Sequence, residues 1–157
     1  MLGKTNTQRR RRVLAVCSGG GHWVQMKRLQ PAFVGSCVTY ASVHRVTGEE
    51  VGGAQFFRLP DANKDTKLRM LALLIRMLWI LIRVRPHVVI STGAAPGYLA
   101  VRIGRLLGAR TLFLDSIANA EQLSLSASMC VGVADVTLSQ WRDVAEQNGL
   151  QHWGAVL

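Results

Sequence analysis

Three times along this chain, a short apolar run ends in a cluster of small or turn-forming residues. Ser18-Gly19-Gly20-Gly21-His22 follows the run 13–17, Ser91-Thr92-Gly93 follows 87–90, and Asp115-Ser116 follows 110–114. Uninterrupted apolar runs of this length suit strands buried on both faces, as in a parallel sheet. Ligands of such sheets sit beyond the carboxyl ends of the strands, so the three clusters are expected to share one site.

The intervening segments read as helices. Strands are predicted over 13–17, 37–41, 55–59, 87–90, 110–114 and 135–138, with helices over 22–29, 66–85, 96–107, 124–131 and 140–148. Pro86 stops the long helix and Gly108 ends the next one. No repeat or linker interrupts the alternation, and 157 residues are enough for one well-buried core. The expected fold is one Rossmann-like, doubly wound parallel α/β domain over 13–157. Residues 1–12 read as a disordered basic arm, because the apolar stretch after Arg9–Arg12 is too short for a signal sequence.

Charge narrows the class of partner. The net charge is +10, and 15 of the 19 basic residues are Arg, whose planar fork suits phosphates and anionic surfaces. Nucleic acid is disfavoured, since no recognition motif or aromatic stacking pattern is present. The cysteines, Cys17, Cys37 and Cys130, show no CxxC spacing, so neither a disulfide framework nor a metal site is expected. The first turn is no dinucleotide fingerprint and no P-loop, which argues against a nucleotide-dependent oxidoreductase. No cofactor is expected.

What the first turn does offer is backbone amides at a helix N-terminus, where the dipole favours an anion. A diphosphate fits; a plain tight turn needing positive φ is the alternative. Ser18, Gly20 and Gly21, with Thr92, Gly93 and Gly97 in the second loop, are the candidate diphosphate-binding residues. His22 could hold a phosphate or act as a base, or simply cap the helix. Asp115 could orient or deprotonate a hydroxyl, or serve as a turn aspartate.

The segment 68–84 is apolar almost all round, except for Arg69, Arg76 and Arg83 at intervals of seven, which drift only about 20° per interval. As a membrane span it would hold Arg76 near the bilayer centre at roughly 3 kcal/mol. An interfacial helix avoids that cost, with Arg69, Arg76 and Arg83 reaching anionic headgroups and Leu74, Leu78 and Leu81 in the lipid. A core helix with an exposed Arg edge is the alternative. The basic arm favours the membrane surface.

With these loops in place, the chain resembles the membrane-anchor subunit of the two-component UDP-N-acetylglucosamine transferase of the dolichol pathway and its bacterial exopolysaccharide counterparts. The resemblance rests on Ser18–His22 with Gln25-Met26, Ser91-Thr92-Gly93 with Pro96-Gly97, and Asp115-Ser116 followed by Leu123-Ser124-Leu125-Ser126, Ala134-Asp135, Gln140-Trp141 and Trp153-Gly154. Eukaryotic relatives typically carry a glutamate at the place of Asp115 and an arginine at that of Asn119, and the N-terminal membrane span common in the family is not expected here. The resemblance implies the N-terminal, acceptor-side half of a GT-B glycosyltransferase. That half would be inactive without a separate donor-binding subunit carrying the UDP-sugar, and would act on a polyprenyl-diphosphate-linked acceptor at the cytoplasmic face of the bacterial inner membrane. His22 and Asp115 would be its catalytic candidates. A non-catalytic scaffold that recruits and stimulates such an enzyme is the rival expectation.

Overall fold

In the computed structural model, which describes residues 10–61 and 67–156, each apolar run becomes a strand and each intervening segment a crossover. The order is β1 (Arg12–Cys17), α1 (Gly21–Arg28), β2 (Cys37–Ser42), β3 (Gln55–Arg58), α2 (Lys67–Val84), β4 (Val88–Ser91), α3 (Ala94–Leu106), β5 (Arg110–Leu114), α4 (Leu125–Cys130), β6 (Val136–Leu138) and α5 (Arg142–Gln147), with a 3-10 turn at Gln30–Phe33. All neighbouring strands are parallel, in the order β3-β2-β1-β4-β5-β6. The winding reverses between β1 and β4, and the first two glycine loops leave the sheet there, side by side.

Alternation along β1 builds two cores. On one face Leu14 and Val16 pack with Val89, Phe113 and helices α2, α3 and α4, through Leu73, Met77, Ile80, Ala100, Val101, Ala127 and Cys130. On the other face Val13, Ala15 and Cys17 meet Trp23 and Met26 of α1, together with Phe33 and Tyr40.

Two expectations change. The first strand starts at Arg12 rather than Val13: Arg12 pairs with Cys37, and its guanidinium Nε donates to the Arg85 carbonyl at 2.8 Å. Arg12 is therefore structural and not part of the arm, of which residues 1–9 lie outside the described residues, as does Thr66 at the expected start of α2.

The second change concerns α2, which is apolar on both faces but buries only one of them. Leu73, Met77, Ile80 and Leu81 are buried, and at about 1.5–3 kcal/mol per buried side chain they hold the helix on the sheet. Leu81, expected in the membrane face, is 1% exposed and belongs to this core, because it lies one helical turn beyond Met77. The outer face repeats Leu68, Leu71, Ile75, Leu78 and Ile82 at alternating steps of three and four, all exposed, with Leu74 and Trp79 beside them. Arg69 and Arg83 are exposed. Arg76 instead lies over the Trp79 ring at 4.7 Å and the Phe57 ring at 5.8 Å, a cation–π contact that draws it onto the protein. Among the described residues no helix is long and apolar enough to cross a membrane.

Candidate functional site

Both helices that leave the switch point open on a glycine whose backbone other residues adopt only under strain. Gly20, before α1, has φ 59° and ψ −132°; Gly93, before α3, has φ 137° with an extended ψ. Neither helix has a side-chain cap, so its first-turn N–H groups have no side-chain partner of that kind. Ala94, the first residue of α3, also has a positive φ of 64°, a strained geometry for a residue with a Cβ.

The two loops are clamped together through His22. Its Nδ1 lies 2.7 Å from the Thr92 carbonyl, and the Thr92 hydroxyl donates to the His22 carbonyl at 2.7 Å. A carbonyl can only accept, so the contact places the imidazole proton on Nδ1 and leaves the Nε2 lone pair free. Nε2 has no hydrogen-bond partner among the described residues. A Cβ on Gly93 would fall on the His22 ring, so this glycine is the floor against which the imidazole rests.

Three expected diphosphate ligands have other work. The Thr92 hydroxyl is buried and turned toward α1. The Gly93 N–H donates to Ser91 Oγ at 3.1 Å. Gly97 is the fourth residue of α3, where the helix's own ladder takes up the N–H, and a Cβ there would overlap Ser91 Oγ; its smallness makes room for that hydroxyl. Gly20 and Gly21 remain exposed, and Ser18, whose carbonyl accepts from Ser42 Oγ at 2.5 Å, lies partly open beside them. The N–H groups of Ala94 and Ala95, in the first turn of α3, have no side-chain cap.

The third loop joins through amides. Buried Gln25, one turn beyond His22, donates from Nε2 to Ser116 Oγ at 3.3 Å, while Gln140 Nε2 donates to Gln25 Oε1 at 3.2 Å and to the Asp115 carbonyl at 2.8 Å. The N–H of Val156 donates to Gln140 Oε1 at 2.8 Å, so this network also holds the final segment. Asp115 itself is 1% exposed. Its Oδ1 accepts from the Ser116 N–H and Asn119 Nδ2, its Oδ2 from the Ser124 N–H, each at 2.9 Å. Both oxygens are thus engaged in shaping the loop 115–124. Ser124 also caps α4, accepting from Ala127 at 3.0 Å.

Beneath the site, burial pushes the Cys17 thiol up to about 12 despite bonds to Ser42 and Thr92, so it stays protonated and inert. Among the described residues no group of His, Cys, Asp and Glu could hold a metal ion.

No family model matches the sequence, and no curated protein matches it. Solved structures do. MurG of Acinetobacter baumannii superposes with a TM-score of 0.66 at 15% identity, covering 85% of this chain and 42% of that one. A glycosyltransferase from Rickettsia africae ESF-5 gives 0.62 at 14%, covering 92% and 40%. The fold is that of the N-terminal half of a GT-B glycosyltransferase. A UDP-GlcNAc 2-epimerase from Methanocaldococcus jannaschii shares it too, at 0.66 and 8% identity over 89% of this chain and 43% of its own. This chain spans about two fifths of the length of each of these proteins.

Proposed function

We propose that the chain is the acceptor-binding, membrane-associating half of a two-component inverting glycosyltransferase. A separate donor-binding chain holds the UDP-sugar, and the acceptor is a polyprenyl-diphosphate-linked glycan in polysaccharide synthesis. The observation that carries this reading is His22, its Nδ1 proton committed to Thr92 and its Nε2 free between two uncapped helix N-termini.

In this reading the N–H groups of Gly20, Gly21, Ala94 and Ala95, with Ser18, hold the acceptor diphosphate. Nε2 of His22 takes the proton from the acceptor hydroxyl, whose oxygen attacks the anomeric carbon from the face opposite UDP. The new C–O bond forms as the bond to UDP breaks, UDP departs with the electron pair, and His22 returns its proton to solvent. Of the two candidate bases, the open one is His22; Asp115, with both oxygens engaged, is a positioning residue for the loop beside it. The apolar outer face of α2, edged by Arg69 and Arg83, rests on the anionic cytoplasmic leaflet of the bacterial inner membrane and keeps the site beside its lipid-borne acceptor.

The reading is tested by assaying labelled UDP-sugars with polyprenyl-linked acceptor, using the chain alone and with its donor-binding partner. Turnover is expected only with both chains. Robust transfer by this chain alone would refute the division of labour, and full activity of His22→Ala with Asp115→Asn would make the chain a scaffold.

A further inference from the structure

A parallel doubly wound sheet is normally covered on both faces, and here the described residues cover one face only in part. On the face beneath α2, α3 and α4, the β4, β5 and β6 positions Val89, Ser91, Thr111, Phe113 and Thr137 are all buried. Their neighbours one residue along point the other way. Ile90, Leu112 and Val136 lie in register across three strands, Val88 stands two residues before Ile90 on the same face and opposite Arg110, and all four are only half-buried. Below them opens a cavity of about 480 Å³ floored by Val88, Leu112 and Val136 and rimmed by Arg11, His87 and Arg110. Among the described residues no helix residue lines it.

The chemistry of this cavity selects its occupant. Its floor is aliphatic, and the one acid at its edge, Asp135, is already committed to Thr111 and to Arg105 at 3.3 Å. Among the described residues no buried side-chain polar atom lacks a partner, so no polar group waits there for a small ligand. The opposite face of this sheet is covered by helices, and an apolar floor with a cationic rim calls for a helix with an apolar face and acidic flanks. Neither local source fits. Residues 1–9 bring further cations, Lys4 and Arg9, and the exposed apolar face of a second copy, on α2, is edged by Arg69 and Arg83. Both would set like charge against Arg11 and Arg110.

We propose that this open face of β4, β5 and β6 seats an acidic-flanked amphipathic helix from a different polypeptide. The inference does not depend on the reaction proposed above.

Two synthetic helical peptides of about 18 residues, sharing one Leu/Ala face and flanked by Glu in one and Lys in the other, supply the probe. Each is titrated into the full chain while its methyl resonances are followed by NMR. The Glu-flanked peptide should move the methyls of Val88, Ile90, Leu112 and Val136. The Lys-flanked peptide, and the Glu-flanked peptide on Arg110→Glu, should bind roughly tenfold more weakly or worse through lost charge complementarity. The methyl spectrum of the free Arg110→Glu chain reports that it is folded, since Arg110 is exposed. Equal binding of both peptides, shifts confined to Leu71, Ile75 and Leu78 of α2, or four still methyls at millimolar peptide would each overturn the proposal.

Discussion

Replacing Gly93 with alanine separates the conformational role of this glycine from its contact with His22. Its φ of 137° with an extended ψ is a region that only glycine occupies freely, and alanine there costs about 1–3 kcal/mol. The new Cβ would also fall on Cε1 and Nδ1 of the His22 ring, with Nε2 at 3.3 Å. The imidazole must then turn away from the Thr92 carbonyl, giving up a hydrogen bond with a net contribution of about 0.5–1.5 kcal/mol. The expected loss of stability is about 1.5–4.5 kcal/mol in all. Gly20→Ala is the control: its φ is 59° and nothing lies within 4 Å of an added Cβ, so only the strain remains. Urea unfolding of both variants, with nitrogen NMR of His22, gives the readout. Gly93→Ala should be the less stable variant, and only it should change the Nδ1-protonated signature of His22. A Gly93→Ala protein as stable as the parent, or one in which His22 keeps that signature, would refute the argument.

Three further outcomes follow from the described geometry. Burial raises the thiols of Cys17 and Cys130 to about 12, so an aromatic disulfide reagent should label only exposed Cys37 in the native protein and all three cysteines in urea; rapid native labelling of Cys17 would contradict this. The Trp23 indole N–H, 2.9 Å from Glu50, and Lys27 at 3.7 Å hold the Glu50 carboxyl below its ordinary 4.5. That stability is present above pH 4.5 and is lost as pH falls through the depressed folded value, so Glu50→Gln should be less stable than the parent at neutral pH and equal to it in strong acid. A gap that persists undiminished in acid would count against the pairing. Leu71, Ile75 and Leu78 changed together to Ser should abolish flotation with anionic liposomes while far-UV circular dichroism stays native, and undiminished flotation would remove α2 as the membrane contact.

The strands were legible because both faces of a parallel sheet bury apolar side chains, leaving runs such as 110–114 bounded by charge and turn residues. That the two glycine loops would be neighbours followed only from a Rossmann-like strand order, which the sheet has. The sidedness of α2 was not. Leu78 and Leu81 look alike in sequence, and only packing against α3 and the sheet makes one exposed and the other core. The glycines were legible as turns but not as partners: whether a missing Cβ exposes an amide or admits a neighbour depends on where His22 and Ser91 lie. Gln25 and Gln140, 115 residues apart, carry no local pattern that announces their bond. Asp115 reads as a candidate base or a turn aspartate until its acceptance of the Ser124 N–H, nine residues on, is seen.

The central claim is that His22 is the base of the acceptor half, held in the right tautomer by Thr92. The most direct measurement is kcat for labelled sugar transfer by the two-chain enzyme carrying His22→Gln, once native folding and partner binding are verified. General base catalysis contributes about 100- to 10,000-fold, so kcat should fall within that range while KM for the lipid acceptor changes little. A kcat close to that of the parent enzyme would contradict the account.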